Sequence, residues 1–124
     1  MFQQDYIVRQ VQQLAEVLAQ VLLNKQAAEV DDGQDVLANG LRRVLGLELS
    51  ALRTLSRDDL VARFIPDGAL TVDTAVALAE LLQEDAEDAG RRRALWLYEA
   101  ALALGAPVPF SIRERIAALR EALG

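Results

Sequence analysis

Apolar and polar positions alternate with a period of three to four residues through most of the chain, a pattern typical of amphipathic α-helices. The first such segment predicts a helix over residues 4–28, roughly 37 Å long at 1.5 Å per residue. We expect the stretch VDDGQ at 30–34 to end this helix. The predicted apolar stripe covers about half of the helix surface. It consists of Ile7, Val8, Val11, Leu14, Ala15, Leu18, Val21 and Leu22.

Similar segments predict several shorter helices and no strand. The second helix covers 35–46, with Gly40 as a weak or close-packed point and Gly46 as its left-handed end. A short turn led by Ser50 follows. Side-chain caps are expected for the later helices, with a capping box at the last one. The expected caps are Ser56, Thr71 and Ser111, the last with Glu114.

Within the predicted helix 91–104, the stretch 94–104 carries Glu99 as its only charge and is apolar almost all round, which is typical of a buried helix, and Gly105 and Pro107 should end it. We therefore predict an all-α fold: one domain over residues 1–124, built as a compact bundle of about five to seven helices. A long N-terminal helix and a buried antiparallel C-terminal hairpin are its main expected features.

The stretch EDAEDAGRRR at 84–93 allows two structures. In a hairpin that turns at Gly90, the acidic end of one helix would lie beside the basic start of the next, and their charges would neutralise each other. In one continuous helix, Glu87 would pair with Arg91 and Asp88 with Arg92 at i,i+4 spacing. Because a central glycine disfavours helix by about 1 kcal/mol, the sequence favours the hairpin.

The amino-acid composition limits the core residues and the kinds of catalytic and metal-binding site that the chain can form. Hydrophobic residues make up 52% of the chain but aromatic residues only 5%, so Leu, Ala and Val must build the core. The absence of Cys and His removes thiolate nucleophiles, disulfides and the commonest transition-metal ligand. We expect no cofactor, and enzymatic activity is not favoured.

Charge and hydropathy bear on partners and location. A net charge of −6 opposes binding to the phosphate backbone of nucleic acids. No apolar run approaches the roughly 18 residues of a membrane span, and no signal peptide is evident. We therefore expect a cytoplasmic protein that binds neither nucleic acid nor membrane.

Two groups of residues are candidate sites. Asp5, Tyr6 and Arg9 form a polar cluster at the start of the first helix, either as a cap with a packed aromatic ring or as an anion site. Trp96 is flanked by Leu95 and Leu102 on the side of its helix nearest to Glu99. Either other helices of the same chain or a partner must cover that side.

The back of the first helix is rich in glutamine and nearly free of charge, which favours a second, hydrogen-bonded contact. Its glutamines are Gln10, Gln12, Gln13 and Gln20. We predict a homodimer or another protein partner at this face, whereas a monomer would leave these amides in water.

Three functions remain open. The first is an interaction or scaffold protein, and the second a binder of small apolar ligands in a cavity among Ala-rich helices. The third is a metal-dependent enzyme that uses carboxylates alone. Its candidate residues are Glu84, Asp85, Glu87 and Asp88. A solvated, salt-bridged cluster is the favoured interpretation of these acids because three arginines follow them.

Four stretches together resemble an uncharacterised bacterial family of small helical proteins that open with Gln-Asp-Tyr-Ile-x-Arg. The stretches are QDYIVRQVQQLAEVLAQVL, VLGLELSALRTLSRDDLVA, ALAELLQEDAEDAG and LYEAALAL. The resemblance extends over nearly the whole chain and implies a small helical protein, without assigning catalytic or binding residues.

Residues 71–107 also resemble a single tetratricopeptide hairpin. Ala94, Tyr98 and Ala101, followed by Pro107, are similar to the second helix of that repeat, although the proline lies one position late. The first helix of this hairpin lacks the aromatic and glycine pattern that is usual in the repeat. Tetratricopeptide arrays need about three repeats for stability, and this sequence offers only one hairpin. The resemblance therefore does not imply a groove that binds peptides.

Overall fold

A computed structural model describes residues 2–28, 30–65, 72–105 and 108–124 of the chain, and these residues form helices and connecting turns. No strand occurs in these four ranges, and the predicted all-α fold with five to seven helices is confirmed. The helices are α1 (Phe2–Gln26), α2 (Val30–Leu45), α3 (Leu49–Leu52), α4 (Arg57–Phe64), α5 (Val72–Leu82), α6 (Asp88–Ala103) and α7 (Ile112–Leu123).

Helix α1 packs on α2 and α5 with one narrow face. The buried line along it includes Leu14, Val17 and Val21, so the prediction for Leu14 and Val21 is confirmed. Val17 is also buried, although it lies outside the predicted apolar stripe. Three residues predicted to face inward are instead exposed, because α2 and α5 both lie on the Val17 side of the helix. These are Val8, Ala15 and Leu22.

The break between α1 and α2 is earlier than expected. Ala28 adopts a positive φ of 60° after α1, and residues 30–34 already belong to α2, so the prediction that VDDGQ forms the break after the first helix is wrong. Gly40 is a close-packed point, since a Cβ there would lie 2.5 Å from Cγ1 of Val17. Gly46 has a φ of 67°, which confirms the left-handed helix end.

Only one of the predicted serine caps that the structure describes is formed. The Ser56 hydroxyl accepts a hydrogen bond from the Asp59 backbone N–H at 3.1 Å. Ser50 lies inside α3, where Glu48 occupies the N-cap position. Ser111 takes a helical backbone conformation and its side chain makes no cap bond, so the capping box is wrong. A helical ψ turns the side chain away from the free N–H groups.

Helices α5 and α6 form the predicted antiparallel hairpin, but its turn lies at residues 83–87 and not at Gly90. Helix α5 is the more central of the two. It lies between α1 and α6, and seven of its 11 residues are buried. In α6 several apolar side chains are only half-buried, so its expected burial all round is partly wrong. The predicted cap Thr71 and the terminator Pro107 lie outside the described residues.

The core joins residues of α1 to α7 in one hydrophobic cluster. Tyr98 is its largest fully buried side chain, and its hydroxyl donates a hydrogen bond of 2.7 Å to Oε1 of Gln83. The Arg115 guanidinium lies 6.0 Å from the centre of the Tyr98 ring. Burial raises the pKa of the Tyr98 phenol above its ordinary value of 10.0, because the charged phenolate would be poorly solvated there.

This shift predicts a loss of stability in alkaline solution. The phenol ionises near pH 10 in the unfolded chain and stays neutral in the fold, so its contribution is complete below that pH and is lost above it. Between about pH 10 and pH 11 the wild-type free energy of unfolding should fall by about 1 kcal/mol more than that of Tyr98→Phe. Urea unfolding at both pH values measures the difference.

Tyr6→Phe is the matched control, since the Tyr6 side chain is 64% exposed and lies outside the core. At neutral pH, Tyr98→Phe should cost about 1 kcal/mol through loss of the bond to Gln83. If the free energies of unfolding of wild type and Tyr98→Phe fell equally between about pH 10 and pH 11, the conclusion that the Tyr98 phenol stays neutral in the fold would be contradicted.

Candidate functional site

The outward side of α1 carries an uncharged strip at spacings of four, three, four and three residues. We call it the outer strip; it consists of Val8, Gln12, Ala15, Ala19 and Leu22. All five residues are exposed, with Val8 at 52% and Leu22 at 40%. At 100° per residue the strip lies roughly 160° around the helix from the buried line, and it is about 21 Å long. It therefore faces away from α2 and α5.

The two edges of the outer strip differ. Arg9 and Glu16 lie on one edge, seven residues apart and both exposed. Within the described residues neither takes part in an ion pair of the chain. On the other edge Val11 and Leu18 are half-buried and continue into the core. The strip is thus an apolar surface bounded by charge on one side only.

The polar cluster predicted at the start of α1 is looser than expected. Asp5, Tyr6 and Arg9 are exposed, and in the described part of the chain no ion pair joins Asp5 to Arg9. An exposed pair gains little in water, which explains why these side chains remain apart. The Tyr6 hydroxyl accepts a hydrogen bond of 3.4 Å from Nε2 of Gln10. Tyr6 also borders a cleft that includes Phe64.

The predicted glutamine face lies beyond the charged edge of the outer strip. Gln13 and Gln20 are exposed, and Nε2 of Gln20 donates a 3.4 Å hydrogen bond to Oδ1 of Asn24. Gln12 belongs to the outer strip itself. Arg9 and Glu16 lie between Gln12 and these two glutamines around the helix, so the outer strip and the predicted glutamine face are separate surfaces.

The Trp96 group lies on α6, apart from the residues of α1. Leu95 is buried, whereas Trp96 and Leu102 are half-buried and pack against the core. The Arg93 guanidinium lies 4.7 Å from the centre of the Trp96 ring and donates hydrogen bonds of 3.1 and 2.8 Å to the Leu55 carbonyl. Burial lowers the pKa of Arg93. Contacts of the same chain thus cover part of the Trp96 surface.

A buried ion pair, which sequence reasoning missed, organises the turn between α5 and α6. The Asp85 side chain is fully buried and accepts two hydrogen bonds from Arg53, at 2.8 Å from Nε and 2.6 Å from Nη2. The hydrogen bond to Asp85 raises the pKa of Arg53. The Glu87 backbone N–H also donates to Oδ1 of Asp85, at 3.2 Å. Thirty-two residues separate Arg53 from Asp85, so no local sequence signal indicates the pair.

Residues of α1 and α2 also bind to the turn between α5 and α6. The Gln34 amide donates to the Glu84 carbonyl at 3.2 Å and accepts from the Ala86 N–H at 3.3 Å. Lys25 lies 3.2 Å from the Glu84 carboxylate. Arg91 donates to the carbonyl of Ala86 at 3.3 Å. These residues border a pocket of about 250 Å³, which charged side chains and the apolar Val21 line together.

The four acids that the sequence offers as candidate metal ligands all form salt bridges with basic side chains of the chain. The pairs are Lys25–Glu84, Arg53–Asp85, Arg53–Glu87 and Arg91–Asp88. Among the residues described, no group of three or more potential ligands converges on one point. The expected i,i+4 pairs of a continuous helix are absent from the same ranges. The arrangement therefore fits a structural tie between helices.

Within the described ranges, no helix is both long and apolar enough to cross a membrane. No curated protein and no solved structure matches the chain. A family model matches residues 1–67, which include the opening Gln-Asp-Tyr-Ile-x-Arg stretch and helices α1 to α4. The later segments of the resemblance, and the tetratricopeptide likeness, lie beyond that match and stay predictions. Because the match covers more than half of the chain, the protein belongs to DUF6483, a family of unknown function.

Proposed function

We propose that this protein is a non-enzymatic interaction module that self-associates through the outer strip of α1. The observation that carries the proposal is an exposed, charge-free helix face with a repeating spacing of four and three residues. That spacing is typical of a seam between two helices. Val8 and Leu22 supply large apolar side chains at its ends, and Leu23 adds a third exposed one beside it.

Gln12, the one glutamine of the outer strip, is compatible with such a contact. Burying an amide costs far less than burying a charge, and Gln12 sits between the apolar positions Val8 and Ala15. Gln13 and Gln20 lie beyond the edge formed by Arg9 and Glu16, outside this contact. A single hydrophobic cluster from α1 to α7 also supports treating residues 1–124 as one domain.

The alternative of a small apolar ligand has less support. The pocket beside the α5–α6 turn, at about 250 Å³, is smaller than ligand pockets, which span roughly 300–1,000 Å³, and its lining includes the charged Lys25 and Glu84. A larger cleft of about 430 Å³ between α6 and α7 is bordered by the charged Glu99, Arg113 and Arg120, which do not suit a purely apolar ligand. The outer strip therefore remains the better candidate.

The experiment is a measurement of molar mass in solution by light scattering over a range of protein concentrations. The wild-type protein should form dimers, and the variant Val8→Glu/Ala19→Glu should remain monomeric. Both positions are exposed in α1, so the fold should tolerate the changes, which circular dichroism verifies. Two buried glutamates for each protomer would make association strongly unfavourable.

The matched control is Ala62→Glu/Ala117→Glu, which adds the same charge at exposed helical positions in α4 and α7. This variant should associate like wild type. A wild-type protein that is monomeric throughout, or a dimer that persists in Val8→Glu/Ala19→Glu, would contradict the proposed function.

A further inference from the structure

We infer that the partner at the outer strip is a second copy of this chain, bound antiparallel about a two-fold axis that passes between residues 12 and 13 of α1. This inference rests on the proposed function and specifies its geometry. It follows from three features of the described helix: the charges on one edge, the sizes of the strip residues and the position of Gln12.

The charged residues at the edge of the outer strip determine whether the two α1 helices run parallel or antiparallel. Arg9 and Glu16 lie on the same edge of the strip, while the opposite edge carries the half-buried Val11 and Leu18. In a parallel two-fold pair the opposite edges of two helices meet, which would place both charges against apolar side chains. In an antiparallel pair like edges meet. Each Arg9 can then face the partner's Glu16, and the symmetry provides this ion pair twice.

The register that joins Arg9 to the partner's Glu16 also matches the sizes of the strip residues. In this register, positions whose numbers add up to 25 lie at the same level. Val8 therefore falls between the partner's Ala15 and the partner's Ala19, where small side chains leave room for it. Gln12 lies beside the partner's Gln12, and these two amides can hydrogen-bond across the axis.

Charge reversal tests the register. Arg9→Glu and Glu16→Arg should each weaken the dimer about tenfold, because each change creates two like-charged contacts. The double variant Arg9→Glu/Glu16→Arg restores both opposite-charge pairs and should return the Kd to within about twofold of wild type. Sedimentation equilibrium at low salt measures all four Kd values.

The two single variants also separate a local contact from overall repulsion. If only net charge mattered, Arg9→Glu would weaken the dimer and Glu16→Arg would strengthen it, since the wild-type charge is −6. That result, or a double variant as weak as the singles, would overturn the register.

Cross-linking tests the orientation independently, because the chain has no cysteine. Gln12→Cys lies next to the axis and should form a disulfide between protomers under a mild oxidant. Leu22→Cys should form none, since the two copies of residue 22 would be about 28 Å apart along the helices. A disulfide needs Cα atoms within about 7 Å.

The outcomes distinguish this inference from the proposed function. A dimer that is lost in Val8→Glu/Ala19→Glu but cross-links equally well at positions 12 and 22 would be parallel. It would overturn the antiparallel arrangement and leave the self-association intact. A dimer that cross-links at neither position would likewise overturn it, whereas a monomeric wild-type protein would contradict both.

Discussion

Arg53→Met should lower the free energy of unfolding by about 3–5 kcal/mol, because it leaves the Asp85 carboxylate buried without its cation. The Asp85 side chain has no exposed surface, and Arg53 is 22% exposed and supplies two of its hydrogen bonds. Methionine retains most of the aliphatic volume of arginine, so the change removes chiefly the charge and the donors. Urea unfolding followed by far-UV circular dichroism measures the loss.

Arg42→Met is the matched control for this experiment. Arg42 also makes two hydrogen bonds to a carboxylate, that of Glu48, at 2.8 and 2.9 Å. Both side chains are 56% exposed, so water screens the pair and the change should have a much smaller effect than Arg53→Met. Equal effects of the two substitutions would show that burial of Asp85 does not govern the energetics of the pair.

Gly90→Ala should destabilise the protein by about 3 kcal/mol, the second large effect that the structure predicts. A Cβ at position 90 would lie 1.9 Å from Oδ2 and 2.6 Å from Cγ of Asp85. The carboxylate would have to move away from Arg53, which holds it through both oxygens. The same methyl group would otherwise favour the helix, so a loss of stability reports on the contact.

Gly33→Ala provides the comparison, since Gly33 also lies in a helix and is buried. The nearest atom to a Cβ there is that of Asn24 at 3.5 Å, an ordinary contact. This variant should gain about 0.5–1 kcal/mol through the higher helix propensity of alanine. Destabilisation of both variants to the same extent would mean that the contact with Asp85 is not the cause.

Much of the fold follows from the sequence pattern. The period of apolar residues located the helices, and the glycine at position 46 correctly marked the end of α2. The predicted hairpin of α5 and α6 is confirmed, although its turn lies before Gly90, which is a residue of α6 and packs closely against Asp85 in the turn. Serine caps were predicted less well, since a cap depends on the backbone angles of one residue.

The candidate site was harder to predict. The sequence indicated that α1 has a second, uncharged face, but it assigned Val8, Ala15 and Leu22 to the core. An apolar stripe half the circumference wide does not reveal which part of it the neighbouring helices cover. The position of α2 and α5 on the Val17 side decided this, and it left the outer strip exposed.

The sequence by itself determined the helical class and the length of α1, because these depend on local propensity and periodicity. Only the tertiary structure decided which apolar residues of α1 are buried and which acids are paired. The tie between Arg53 and Asp85 spans 32 residues, and contacts at such distances depend on how helices pack. Local patterns specify the helices, whereas burial and pairing are properties of their arrangement.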